Sequence, residues 1–222
     1  MGITKTDYTR GMQCPKMLWL DKHKPEKRII SQEMQAILDG GNEFGDKAMA
    51  MFGDYVETTT LKANGYLDIS KMIEKTREFI SSGVRVICEA AFSFCRNYCA
   101  VDILKKGLNG YEIYEVKNCP LVEEQFIRDV GFQRYIVEKC GVVVTKCFIV
   151  YHGNDKANPF IIQDVTDRAK SYYYEVDDNI WRLDAIKSQQ DEPDTSPGNQ
   201  CLYPYKCWYK EYCESERKKT TI

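Results

Sequence analysis

Apolar residues recur at helical spacing near the start of this chain and at strand spacing in its middle. Tyr8, Met12, Leu18 and Trp19 make a stripe that predicts a helix over 6–21, capped by Thr6 or Asp7. Pro15, beside Cys14, kinks or restarts that helix. A second helix is predicted over 31–52, with Ser31 as N-cap and Glu33 where a carboxylate meets the positive end of the dipole. Gly40, Gly41 and Gly45 interrupt its pattern. Each costs about 1 kcal/mol relative to alanine, which predicts a break, a close backbone approach or a ligand. Residues 69–82 read as a third amphipathic helix.

The period then shortens to two. Strands are predicted over 84–94, 98–105 and 110–117. The last two are joined by a tight turn at Gly107–Gly110, with Asn109-Gly110 as the hairpin signal. Helix follows over 122–139. Residues 142–151 form a nearly continuous apolar run, as expected of a buried central strand. An edge strand over 159–165, a long helix over 166–188 and a loop over 190–200 complete the pattern. We find no internal repeat. Helices, then a strand meander, then helix–strand–helix predict an α/β fold with a central mixed sheet flanked by helices.

A length of 222 residues suits a single domain with a sizeable core. Its parts are 1–60, a helical segment; 84–188, the core; and 199–215, a cysteine-bearing segment. A formal charge of −2 means that any nucleic-acid site must be a local basic patch. No signal peptide opens the chain and no run approaches the roughly 20 apolar residues of a membrane span, so we expect a cytoplasmic protein with no membrane partner. Ten cysteines are many, but most stand singly in apolar segments, unlike a secreted disulfide framework.

Chemistry concentrates in the hairpin. Asp102 lies mid-strand, with Val101 and Ile103 facing the other side by alternation. Glu115 and Lys117, two apart on the next strand, share a face, and the hairpin brings them to Asp102. Two carboxylates make a hard oxygen site suited to Mg²⁺ or Mn²⁺, which lowers the pKa of a bound water. Lys117 is placed to orient that water or to stabilise charge on a phosphate. The competing reading is a solvated strand face with an incidental ion pair.

The order Asp102, then Glu115-Val116-Lys117, resembles the PD-(D/E)xK nuclease superfamily, whose restriction-endonuclease-like core is a hairpin ending in (D/E)-x-K. Glu89 in the preceding strand, and Gln133 with Tyr135 on the following helix, match RecB-type members, and Asp129 one turn earlier also fits. RecB-type nucleases carry a histidine ligand on an early helix. Here GGNEFGDKAMAMF has none, Gly45 falls at that place, and Glu43, or Asp46, is the acidic substitute. His23 and His152 lie elsewhere, as surface or loop residues. The resemblance implies Asp102, Glu115, the Val116 carbonyl and Glu43 as metal ligands, Lys117 as the positioner of water, and Gln133 and Tyr135 as shapers of the site.

Cys201, Cys207 and Cys213 follow C-x₅-C-x₅-C, with Cys14 far upstream. That spacing is a poor zinc template. One remote cysteine plus a C-terminal triplet resembles the iron–sulfur clasp of RecB-type nucleases, among them the AddB subunit and the fourth CRISPR-associated nuclease family. The resemblance implies a [4Fe–4S] cluster held by these four residues, acting in folding more than in chemistry. Cys88, Cys95, Cys99, Cys119, Cys140 and Cys147 read as structural. It further implies exonuclease action on single strands or DNA ends, in CRISPR spacer-precursor processing or repair, with CRISPR adaptation proteins as partners. Lys105, Lys106, Arg134, Lys139, Lys170 and Lys206 are candidate phosphate contacts, and Tyr8, Tyr135, Tyr172 and Trp208 candidate stacking platforms. Other readings stay open: a non-catalytic DNA-binding scaffold keeping fold and cluster, a zinc-stapled interaction domain, and buried free thiols at Cys14, Cys201, Cys207 and Cys213.

Overall fold

The first helix starts from a capping box that the apolar stripe alone does not reveal. Asp7 N–H donates to Thr4 Oγ1 at 3.0 Å while Thr4 N–H donates to the Asp7 carboxylate at 2.9 Å, so Thr4 is the cap and Lys5 the first helical residue. In the computed structural model, which describes residues 2–155 and 158–220, this helix is α1 (Lys5–Gln13). Cys14 is extended, and Pro15 restarts the chain as α2 (Pro15–His23). A one-turn 3₁₀ helix leads to α3 (Gln32–Met49), capped by Ser31. Next come β1 (Val56–Glu57), α4 (Ile69–Ser81), β2 (Val86–Phe94), β3 (Asn97–Lys106) and β4 (Tyr111–Val116). The chain continues with α5 (Glu124–Lys139), β5 (Val144–Asp155), β6 (Asn158–Asp164), α6 (Thr166–Ser171), α7 (Tyr173–Ser188) and α8 (Lys210–Thr220).

The strands form one six-stranded mixed sheet in sequential order. β1 runs parallel to β2, β2–β3–β4 is antiparallel, β5 is parallel to β4, and β6 closes the edge antiparallel to β5. Parallel neighbours need a crossover, and α5 supplies it between β4 and β5. The architecture is therefore α/β, a mixed sheet flanked by helices.

The main core lies beneath α5. Ile127, Phe132 and Ile136 of α5 pack with Tyr8 of α1, Leu18 of α2, and Val176, Ile180 and Leu183 of α7 over Val101, Ile113 and Ile149. A side chain at Gly11 would stand 2.5 Å from Leu183, so glycine lets α1 approach α7 closely. On the other sheet face, Ala48, Met49 and Phe52 cover Cys88, Ile103, Tyr114 and Val150.

Several expectations change. Gly40, Gly41 and Gly45 lie inside an unbroken α3. Side chains at Gly41 and Gly45 would meet nothing, and one at Gly40 would come 3.1 Å from Asn118 Nδ2. These glycines keep a helix face low beside a cleft without ending the helix. The long C-terminal helix is two, broken at Tyr172. Strict alternation fails at Asp102: Val101 packs under α5, whereas Ile103 packs on the opposite face. Its partner strand carries the cause. Glu89, between the Cys88–Ile103 and Ala90–Val101 pairs, has φ +53° and re-aims the chain there. β1 and α8 have no counterpart in the apolar pattern.

Candidate functional site

Glu115 sits near the end of β4 on the face covered by α5, its side chain 1% exposed. A bare carboxylate at that depth is costly, and four donor contacts compensate. Oε1 receives Lys117 at 2.8 Å and Lys5 at 3.0 Å; Oε2 receives Gln133 Nε2 at 2.6 Å and Lys5 at 3.1 Å. Burial pushes this carboxyl up, but Lys117 and Lys5 outweigh it and bring the pKa to about 2.

Asp102 lies beside it on β3. Oδ2 accepts the Val116 N–H at 2.7 Å, and Oδ1 stands 3.6 Å from Lys5 Nζ. Burial, then the negative charge of Glu115, raises its pKa to about 6. Lys117 begins where β4 ends, with its N–H on Val150 O at 2.8 Å. Its ammonium also reaches Asp129 Oδ2 on α5 at 2.7 Å, and Thr9 on α1 holds the other Asp129 oxygen at 2.7 Å. Burial disfavours that ammonium, but Asp129 and Glu115 more than offset it and raise its pKa well above the ordinary value. The strained Glu89 lines the same cleft, and burial followed by Asp102 raises its pKa to about 8.

These groups floor a cleft of about 720 Å³, walled by Gly41, Gly45 and Asp46 of α3, Phe126 of α5, and Tyr205. A second, more apolar cleft of about 730 Å³ adjoins it past Lys5, Lys117 and Tyr205, reaching Leu202, Lys206 and Trp208.

The fold thus brings Asp102, Glu115, Lys117, Gln133 and Asp129 together, with Val116 engaged through its N–H. It does not bring two of the expected residues. Tyr135 is turned away from Gln133 on α5 and donates to Asp177 on α7. Glu43 faces solvent, its side chain 71% exposed, and pairs with Lys47 one turn along; Asp46 lines the cleft instead. His152 stacks on Phe44 and His23 on Trp19.

Among the expected DNA contacts, only Lys206 and Trp208 line the clefts. Lys206 pairs with Glu33 of α3, and the Arg10 and Arg28 guanidiniums both lie over the Trp208 ring. Arg134 is buried against Glu138, Val144 O and Cys147, and Tyr8 is buried against Phe132; both are core. Lys139 lies over Tyr135 and Tyr173, Tyr172 donates to Glu124, and Lys105 pairs with Glu112. Lys5 and Thr9 are the residues that sequence reading missed. They belong to no local motif, and only the Thr4–Asp7 box, by fixing the start of α1, hints at their direction.

The second assembly joins the two ends of the chain. Cys14, Cys201, Cys207 and Cys213 line one small cavity with Met17, Leu20, Pro197 and Tyr209. Cys14 and Cys201 are buried, the other two half-buried. Burial raises the Cys207 and Cys213 thiols to about 11, and the neighbouring Cys14 and Cys201 add to it. The Tyr209 N–H lies 3.4 Å from Cys207 Sγ. Surrounding contacts hold the ends together: Gln13 donates to Gln200 O and Tyr205 O, both at 2.7 Å, and Asp21 gathers Arg10, Arg28 and Tyr209. Of the remaining cysteines, Cys88, Cys99 and Cys147 are buried singly, Cys95 and Cys140 are exposed, and Cys119 borders the first cleft. Among the described residues, no group of three or more His, Cys, Asp or Glu side chains forms a site for a metal ion, and no helix is long and apolar enough to cross a membrane.

No family model matches this chain, and no curated protein matches it. Among solved structures it is similar to one described as "Crystal structure of SSO0001", with 13% identity and a TM-score of 0.45 over 96% of this chain and 85% of the other.

Proposed function

We propose that this protein is a metal-dependent DNA nuclease of the RecB-like, PD-(D/E)xK type, with a structural [4Fe–4S] clasp. The observation that carries this reading is the meeting of Asp102, Glu115 and Lys117 at the floor of one cleft, with Gln133 and Asp129 of α5 behind them.

The donor set suits a hard divalent cation. Asp102 and Glu115 offer carboxylate oxygens on one side of the cleft, and a cation, the Lys5 ammonium, already stands against them. Asp102 and Glu115 would hold Mg²⁺ or Mn²⁺. When bound, such an ion supplies Lewis acidity toward a phosphate oxygen and a more acidic water. Lys117, fixed by Asp129, orients the attacking water and balances charge that develops on the phosphate. Gln133 keeps Glu115 in the rotamer that faces the cleft. Phe126 and Tyr205 limit access of bulk water on one side.

The four clasp thiols suit a cluster by chemistry, since all are sulfur and line one largely apolar cavity, though as placed they do not converge into a closed metal site. Cys14, Cys201, Cys207 and Cys213 would hold it and so fasten α1 and α2 to the C-terminal segment.

The expected substrate is single-stranded DNA or a DNA end, with action in CRISPR spacer-precursor processing or in repair, in the cytoplasm, alongside CRISPR adaptation proteins. The scaffold reading draws on the missing histidine: Gly45 stands at its place and Glu43 faces solvent, which leaves Asp46 as the acidic side chain of α3 along the cleft. Cleavage of end-labelled single-stranded DNA with Mn²⁺, by anaerobically purified protein beside Lys117→Ala and Glu115→Ala, separates the two. Cutting by the wild type alone supports the nuclease. Silence from all three, with the clasp intact, makes the chain a scaffold.

A further inference from the structure

Lys5 is the first residue of α1 and no part of the hairpin motif. A cation at a helix N-terminus opposes the dipole, and the Lys5 side chain is only 25% exposed. Two unfavourable placements coincide, so the amine must be held by strong partners. They are the two acids themselves: both Glu115 oxygens, at 3.0 and 3.1 Å, and Asp102 Oδ1 at 3.6 Å. Lys117 does not duplicate this contact, because its amine is divided between Glu115 and Asp129, away from Asp102.

We propose that Lys5 is a built-in counter-ion that occupies the position between Asp102 and Glu115 and must withdraw before a divalent cation can bind there. This deepens the nuclease reading and rests on it. The gap between Asp102 and Glu115 cannot hold the Lys5 ammonium and a divalent ion together, because the two cations would stand in contact and repel in a partly buried site, whereas Lys117 sits on the Asp129 side of Glu115 and leaves that gap free. The bound state of Lys5 therefore competes with metal, and apparent metal affinity falls by the fraction of molecules in which Lys5 is engaged. The device has a clear exit: Lys5 borders both clefts, so a rotation of its flexible side chain carries the amine along the wall without moving α1. Its benefit is an acidic site whose carboxylates stay neutralised while metal is absent.

Mn²⁺ binding to the DNA-free protein, followed by calorimetry and by loss of the free-ion electron paramagnetic resonance signal, tests the idea. Wild type, Lys5→Met, Lys5→Arg and Glu115→Gln are compared, with folding checked by circular dichroism. Lys5→Met is expected to bind Mn²⁺ about tenfold more tightly than wild type, and Lys5→Arg to stay within a fewfold of it. Without metal, Lys5→Met should melt at a lower temperature than wild type, and Mn²⁺ should restore it by a larger margin. Unchanged or weaker Mn²⁺ binding by a folded Lys5→Met, beside measurable binding by wild type, overturns the counter-ion role and leaves the nuclease reading standing. No Mn²⁺ binding by wild type or by Lys5→Met overturns both. Equal binding by Glu115→Gln and wild type would place the metal elsewhere and also overturn the proposal.

Discussion

Gln133 Nε2 donates to Glu115 Oε2 at 2.6 Å and to the Ala100 carbonyl at 3.1 Å, so one helix side chain ties β4 to β3 behind the acids. Gln133 and Glu115 are both buried, and removing the amide strips a donor from a charged acceptor. Gln133→Leu should cost about 1–3 kcal/mol of stability and slow cleavage. Urea unfolding monitored by tryptophan fluorescence measures the first. An unaltered midpoint would mean that the remaining donors suffice for Glu115.

Asp129 touches neither Asp102 nor Glu115 in any hydrogen bond, yet holds Lys117 at 2.7 Å and is itself held by Thr9. Asp129→Asn keeps the shape and removes the charge. Cleavage should slow by about 100-fold, as when a reacting group is displaced by an ångström, while the Mn²⁺ concentration giving half-maximal rate stays put. A shift in that concentration with no change in maximal rate would instead make Asp129 part of metal binding.

Single replacement of Cys14 or Cys207 by alanine should deplete iron and acid-labile sulfide together and lower the melting temperature. Iron, sulfide and zinc assays on anaerobically prepared protein decide the matter. Stoichiometric zinc in a colourless wild type would replace the cluster with a zinc staple.

Glu192 receives Lys16 and Lys24, each at 2.7 Å, and Tyr212 at 2.9 Å, which joins the loop before the cysteine run to α2 and α8. Burial raises its pKa, but these partners outweigh it, and the folded value lies below the unfolded one. Its contribution is therefore present above the unfolded pKa and is lost as pH falls through the lower folded value. Because the group is partly exposed, the effect is on the order of 1 kcal/mol. Glu192→Gln should lower the melting temperature at neutral pH and flatten its decline in acid. Parallel melting curves from neutral to acid pH would count against this.

Much of the fold was legible because its signals are local. Ser31 caps α3 as its hydroxyl predicts, Asn109-Gly110 marks the β3–β4 hairpin, and the apolar run of β5 is flanked by strands on both sides. The acids and Lys117 were legible for the same reason, as a short spacing on adjoining strands. What escaped depends on distant parts of the chain. Strict alternation puts Val101 and Ile103 on one side, but Glu89 across the ladder breaks it. Tyr135 lies only two positions from Gln133, and a helix turns it toward Asp177. Lys5 enters the site only because α1 is anchored by a capping box at its start and packed on α7 through Gly11.

The order in which the chain is made gives the junction of its ends another meaning. Asp102, Glu115, Lys117 and Gln133 emerge from the ribosome well before Cys201, Tyr205, Cys207 and Cys213. A nascent chain halted before residue 201 would carry both acids and the lysine, but Cys14 would lack its three companions and the cleft its Tyr205 wall. The wall of the cleft and the cysteine cavity are thus completed later in synthesis than the acids and lysine that floor the cleft, and a chain stopped before residue 201 has neither.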